Sequence, residues 1–289
     1  MPAAPEPNYR QILGIRFFIG SAAQAVQIGL RGGLVVVPAA PALVELERDP
    51  AYRAALLDAD LALTDSGFMV LLWNLIAFEK IRRTSGLEYL KLLIEQPIFR
   101  KPNATLWIMP TEKSRDRNIA WLNSRGVSIK KDDCYLAPVY EIQNVTDRDL
   151  LSMIEARRPE QIVIALGGGI QEKLGHFLKQ SIAKSDVCRS GFTQRGGDGA
   201  AATSFEDLDA PSPGGGTTHN PGVHCIGAAI GFLSGDQVNI PAWADHLFLG
   251  WFFRCLSQPG RFLPRYWKAR RLLPMLLKYR EKLPAPPNT

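Results

Sequence analysis

Three groups of residues carry the types and spacing that chemistry needs. The first is Asp65, which closes the apolar run Leu61-Ala62-Leu63-Thr64 and precedes Ser66-Gly67 and a helix opening Phe68-Met69-Val70. A carboxylate at the carboxyl end of a strand projects into the crevice where open α/β sheets bind ligands, so Asp65 is placed to act as a general base. The same position suits a helix N-cap, whose side chain accepts backbone N–H bonds. The second group is Arg83 with Thr84, Ser85 and Gly86, followed by Glu88 in the first turn of the next helix. A guanidinium and small hydroxyls ahead of a helix start can hold an anion; a solvated loop capped by Ser85 has the same composition. The third is Gly167-Gly168-Gly169, between the apolar run ending at Leu166 and a helix that opens with Gln171 and Glu172. Such a turn lets backbone N–H groups approach a phosphate, with the helix dipole assisting. A bare strand-to-helix turn needs the same glycines. The order GGGIQE is not the spaced-glycine dinucleotide fingerprint, which argues against a Rossmann oxidoreductase.

Positioning these groups requires alternating strands and helices. Strands are expected at Ile12–Ile19, Leu34–Pro38, Leu61–Thr64, Ala104–Pro110, Cys134–Tyr140, around Gln161–Leu166, and after Val223. Helical spacing falls on Ala22–Gly29, on Pro41–Ala59 with a break at Pro50, on 67–78, from Glu88, on Lys113–Asn123 and on Asp147–Ala156. The fold expected is therefore α/β: a Rossmann-like, mostly parallel sheet with helices on both faces. Residues 1–239 form this domain, with 184–222, rich in Gly, Ser, Thr, Asp and Pro, expected to be a flexible insertion. Residues 240–289 are read as a basic amphipathic helical appendage.

The chain has 289 residues, 46% hydrophobic and 21% charged, enough to bury a substantial core. Its start, MPAAPEPNYRQ, lacks the basic and apolar regions of a secretion signal, and no apolar run reaches membrane-spanning length, so a cytoplasmic location is expected. Cys134, Cys188, Cys225 and Cys255 form no CxxC pair, and the lone His176, His219 and His224 have no partner motif, so neither a zinc site nor a disulfide framework is expected. Of the +6 net charge, residues 254–282 alone supply +8, nine Lys and Arg against Glu281. Interleaved Trp, Phe and Leu make that segment a candidate for an anionic membrane surface. A core-packing helix with a solvated basic face fits the same pattern, and no nucleic-acid motif accompanies it.

With these residues in place, the chain resembles the WecG/TagA/CpsF family of glycosyltransferases from about Ile12 to Trp267, apart from the insertion. The resemblance rests on Asp49–Leu56 leading to ADLALTDSG; on Arg83, Gly86 and Glu88; on Leu166–Lys173; and on Pro241, Trp243, Trp251, Arg254, Leu256 and Pro259. It implies transfer of an N-acetylmannosamine-type sugar from a UDP donor to a polyprenyl-diphosphate-linked acceptor at the inner membrane face, with inversion and without a metal. It further implies that Asp65 is the catalytic carboxylate and that Gly167, Gly169, Gln171 and Glu172 form a substrate-binding motif. Arg254, Arg261 and Arg265 are implied to close on the lipid diphosphate. Gly168 and Arg83 join the candidate binding groups, no metal-ligand cluster competes with them, and no cofactor is expected. Self-association is left open. Where the family carries Thr-Pro-Asn, Pro, Asp and Glu, this chain has Val37-Pro38-Ala39, Gly169, Gly231 and Gly250. A weakened member acting as a membrane-bound scaffold or partner subunit is the alternative these swaps raise.

Overall fold

Short, wholly apolar segments make the sheet. In this computed structural model, which describes residues 8–193, 219–227, 229–235 and 259–285, eight strands lie in one sheet. They are β1 (Tyr9–Ile12), β2 (Ile15–Phe18), β3 (Gly33–Val36), β4 (Leu61–Leu63), β5 (Thr105–Met109), β6 (Cys134–Leu136), β7 (Gln161–Ile164) and β8 (Gly222–Cys225). Their spatial order is β1-β2-β4-β3-β8-β7-β5-β6. Only the β1–β2 edge pair is antiparallel; every other pairing is parallel. Strands β3, β4, β5, β7 and β8 are buried at every position, as expected of parallel strands covered on both faces.

The helices that cover them are α1 (Ala22–Gly29), α2 (Ala40–Leu43), α3 (Pro50–Leu57), α4 (Gly67–Ala77), α5 (Gly86–Ile94), α6 (Glu112–Ser124), α7 (Arg148–Arg157), α8 (Ile170–Thr193), α9 (Ala229–Leu233), α10 (Pro259–Ala269) and α11 (Leu272–Tyr279). Alternate strand residues point to opposite faces. Leu34, Val36, Ala62, Ile108, Ile164 and Val223 pack with α2, α3, α4, α7, α8 and α11. Val35, Leu61, Leu63, Trp107 and Val163 pack with α1, α5, α6 and α9. The result is three layers with an apolar core on each side of the sheet.

Local chemistry explains where the elements differ from the sequence reading. The expected first strand is split into the hairpin β1–β2 because Leu13 and Gly14 both take positive φ. Pro41–Ala59 divides because Pro50, which cannot continue a helix but suits a first turn, starts α3 under an Asp49 cap bonded to Tyr52 N at 2.9 Å. Helix α8 runs to Thr193, ten residues into the segment read as an insertion. Polar composition alone does not end a helix whose first half is anchored by buried Leu174 and Leu178.

Residues 259–285 share the main core. Helix α10 packs on α2 and α11 on α4, with Ala269, Leu272, Met275 and Leu276 buried. Lys268 pairs with Glu45 at 2.6 Å and Arg271 with Glu47 at 3.6 Å. Beyond α11 the backbone binds the first hairpin: Leu13 N donates to Arg280 O and Gly14 N to Glu281 O. Arg53 donates to Pro284 O. Residues 240–258 lie outside the described residues.

Candidate functional site

The carboxyl ends of β4, β3, β8 and β7 lie side by side and form the floor of the candidate site. At the β4 end, Ser66 rather than Asp65 caps α4, its hydroxyl accepting Met69 N–H at 3.2 Å. That corrects the capping alternative for Asp65, whose Oδ1 instead accepts the Gly86 N–H at the start of α5, at 2.9 Å. The Arg83 Nη2 lies 3.7 Å from the same Oδ1, and Arg83 Nε donates to Asp65 O at 2.7 Å. Among the described residues no hydrogen bond reaches Oδ2, and the side chain is 26% exposed. One carboxylate oxygen is held, and the other is unengaged among the described residues.

The segment carrying Arg83 is stitched to β4 through Thr84, one of the expected hydroxyls, and through Thr64 and Asn74, which the sequence did not single out. Buried Thr64 donates through its hydroxyl to Arg82 O at 2.8 Å and accepts from Thr84 N at 3.0 Å. The Thr84 hydroxyl donates to Gly20 O, and Asn74 exchanges two bonds with Ile81. Ser85 caps α5 through Leu87 N, as expected. The signal was the repeated hydroxyls Thr64, Thr84 and Ser85, which are good local bonders to backbone.

At the β7 end, the glycine turn is held from beneath. Glu172, fully buried, accepts Gly169 N–H at 2.6 Å and the Gln171 amide at 3.1 Å. The Gln171 side-chain Oε1 accepts Gly227 N–H at 2.6 Å, tying the turn to the end of β8. Burial raises the Glu172 pKa above the usual carboxylate range, against the opposing pull of those hydrogen bonds and of the Lys173 charge. Tyr52, buried nearby without a hydrogen-bond partner among the described residues, has its pKa raised by burial and then by the Glu172 charge. Lys173 leaves the site altogether: its ammonium pairs with Asp49 at 2.8 Å and donates to Ile142 O.

The turn is open where a ligand would approach. A Cβ added at Gly167 meets nothing within 4 Å, and one at Gly168 meets only Ala42, at 3.9 Å. Gly169 takes φ +93°, a conformation that side-chain-bearing residues avoid. Its N–H is used by Glu172, whereas the Gly167 and Gly168 N–H groups have no backbone partner among the described residues. Between the two arms lies Val37, buried and 3.4 Å from where a Gly86 Cβ would stand. By strand spacing alone, Asp65 and the glycine turn stand about 14 Å apart.

Other candidates fall elsewhere. Glu88 faces exposed Arg82 at 3.8 Å on the surface of α5. Arg261 and Arg265 lie on α10, with side chains outside the described set, and Arg254 and Gly250 lie outside the described residues. Gly231 is buried in α9. The sequence does hold an Asp-x-Asp triplet, Asp58-Ala59-Asp60, that the sequence reading passed over. It lies at the opposite, amino end of β4, where Lys179 reaches both carboxylates and Asp60 accepts Leu34 N–H at 2.7 Å. Among the described residues no group of three or more His, Cys, Asp and Glu is arranged to hold a metal ion. His224 is buried between the Tyr89 hydroxyl, 2.8 Å from Nδ1, and Gln161 Oε1, 2.7 Å from Nε2, and burial depresses its pKa to about 3.

A parallel sheet covered on both faces, with a carboxylate, an arginine and a glycine turn gathered on its carboxyl edge, defines a Rossmann-like α/β protein of the ligand-binding kind. The profile of the glycosyl transferase WecG/TagA/CpsF family matches residues 10–191 and 216–286, and the chain belongs to that family. Its role is thereby sugar transfer in cell-surface polysaccharide synthesis. A search among curated proteins found no match.

Proposed function

We propose that the protein is an inverting, metal-independent glycosyltransferase that moves an N-acetylhexosamine-type sugar from a UDP donor to a polyprenyl-diphosphate-linked acceptor at the inner membrane face. The observation that carries the reading is the half-satisfied Asp65 carboxylate, fixed through Oδ1 by Gly86 N–H with Oδ2 unengaged among the described residues. In this reading Oδ2 takes the proton of the acceptor hydroxyl as that oxygen bonds to the anomeric carbon. The bond from that carbon to UDP breaks on the opposite side, and the departing diphosphate carries the electron pair. Arg83 and the Gly167 and Gly168 N–H groups are the candidates to stabilise that charge. Arg261 and Arg265, with Arg254, are the candidates for the acceptor's diphosphate, and Gln171 and Glu172 shape the turn rather than touch the sugar.

A second reading, a scaffold that has lost the reaction, is favoured by one observation. The β3 end presents apolar Val37 to the floor of the site, and Ala39, at the N-cap position of α2, makes no side-chain bond. Calorimetric titration with a panel of UDP-sugars separates the two. Binding of one UDP-hexosamine, with turnover abolished in Asp65→Asn, supports the transferase. A folded protein that binds no nucleotide sugar, or full turnover in Asp65→Asn, sinks it.

A further inference from the structure

Helix α4 begins two residues after Asp65 and buries only half its girth. Met69, Val70, Leu72 and Trp73 enter the core. Phe68, Leu71 and Leu75 fall within about 60° of one another on the opposite side, at 100° per residue, and are exposed. Phe78, the left-handed residue that ends the helix, is 93% exposed. Helix α11 lies against α4 and turns Leu273 and Leu277 outward, while α10 exposes Leu263 and Trp267. Outward Leu and Phe on the packed pair α4 and α11, with Leu263 and Trp267 exposed on the helix that precedes α11 in the chain, exceed ordinary scatter of surface apolar residues.

The rim of this face is mainly basic. Lys80 follows α4, and Arg270, Lys278, Arg280 and Lys282 are exposed along the C-terminal segment against one exposed acid among the described residues there, Glu281. Lys268 is paired with Glu45, Arg82 faces Glu88, and Glu79 pairs with Arg10. The Arg270 guanidinium sits 3.9 Å above the Trp267 ring, a pairing of cation and indole suited to a headgroup boundary. A second copy of the chain meeting this face would oppose basic rims and incur like-charge repulsion. An anionic bilayer satisfies both the apolar stripe and the rim.

We infer that α4, together with α10 and α11, forms one seat for an anionic lipid surface, with the first turn of α4 at headgroup level beside Asp65. This deepens the proposed function and rests on it for the meaning of the site, since it delivers a lipid-linked acceptor to the carboxylate without lifting it from the membrane. The lipid contact is thus not confined to the end of the chain.

The test is co-sedimentation of full-length protein with vesicles of phosphatidylcholine alone or with about 30% phosphatidylglycerol, the anionic component that draws basic segments. Leu71→Ser/Leu75→Ser is expected to lower retention on the anionic vesicles about tenfold, from lost apolar burial. Its melting temperature and UDP-hexosamine affinity should stay unchanged. The milder Leu71→Ala/Leu75→Ala should lose less, because a methyl group keeps some apolar burial that a hydroxymethyl group does not. Lys278→Gln/Arg280→Gln should abolish the preference for anionic vesicles. Transfer to a membrane-embedded acceptor should fall in the α4 variant while transfer to a short-chain, water-soluble acceptor persists. Undiminished retention of the α4 variant overturns the inference. So does a wild-type dimer that the α4 variant converts to monomer with lipid retention intact. Retention that depends on α4 in a protein that binds no sugar nucleotide would uphold the seat and remove the transferase reading.

Discussion

The two arms of the site are fixed by opposite means. At the β4 end, partly exposed Asp65 and Arg83 and buried Thr64 are pinned by bonds between segments about 20 residues apart: Asp65 to Gly86, Thr64 to Thr84, Arg83 to the Asp65 carbonyl. At the β7 end, the glycine turn is backed by a fully buried carboxylic acid one turn along the same chain, and Gln171 reaches the end of the neighbouring strand. The first arm holds the Asp65 and Arg83 side chains still in reach of solvent. The second holds backbone still, with its polar side chains spent underneath.

The largest expected effect belongs to the first arm. Asp65→Asn keeps an oxygen for Gly86 N–H, so melting should move little while turnover drops about a thousandfold, as expected for loss of a general base. A stopped-time transfer assay beside a thermal melt checks both halves. At the second arm, Gly169→Pro imposes φ near −65° where the turn has +93° and removes the N–H that Glu172 accepts. Denaturant unfolding should show a loss of about 3 kcal/mol, with UDP-sugar affinity lost in proportion. A proline tolerated there would show that the turn adopts a second conformation.

Acid loads β8, the strand that carries Gly227 at its end. His224 protonates with an ordinary value of 6.5 when unfolded and about 3 when folded. The unfolded chain therefore gains the proton first, and stability falls as pH drops from 6.5 toward 3. The loss should be on the order of 3 kcal/mol by pH 4, read from unfolding curves at successive pH values. His224→Gln should flatten that dependence. The smallest effect returns to the first arm: Thr64→Val strands the buried Thr84 N–H and should cost about 1.5 kcal/mol. Its transfer rate should fall more than its stability if Thr64 serves to place Arg83.

The strands were legible because a parallel sheet demands unbroken apolar segments, and LVVV, LAL, TLWIM and QIVI supply them. The helix starts were legible at Ser85 and Asp147, where a capping type is followed by an acid in the first turn, Glu88 and Asp149. Asp65 and Ser66 were ambiguous because adjacent residues of capping type compete, and the outcome depends on Gly86, which no local pattern brings near. Gln171 reaching Gly227 across 56 residues is hidden for the same reason. The basic C-terminal segment was read as set apart because charge hid the buried stripe of Ala269, Leu272, Met275 and Leu276. The Asp58–Asp60 pair needed topology to be assigned to the far edge of the sheet.

The bonds from Leu13 and Gly14 to Arg280 and Glu281 join the first hairpin to residues more than 260 positions later. Closing so large a loop is entropically slow and comes late in folding. On the ribosome, the hairpin emerges well before α11 and must wait for that helix to leave the tunnel before its outer edge is satisfied. The inner layers can form while synthesis continues, and the helix pair that carries part of the outward apolar face docks after them. A nascent chain therefore acquires that sticky surface only once the sheet beneath it is in place.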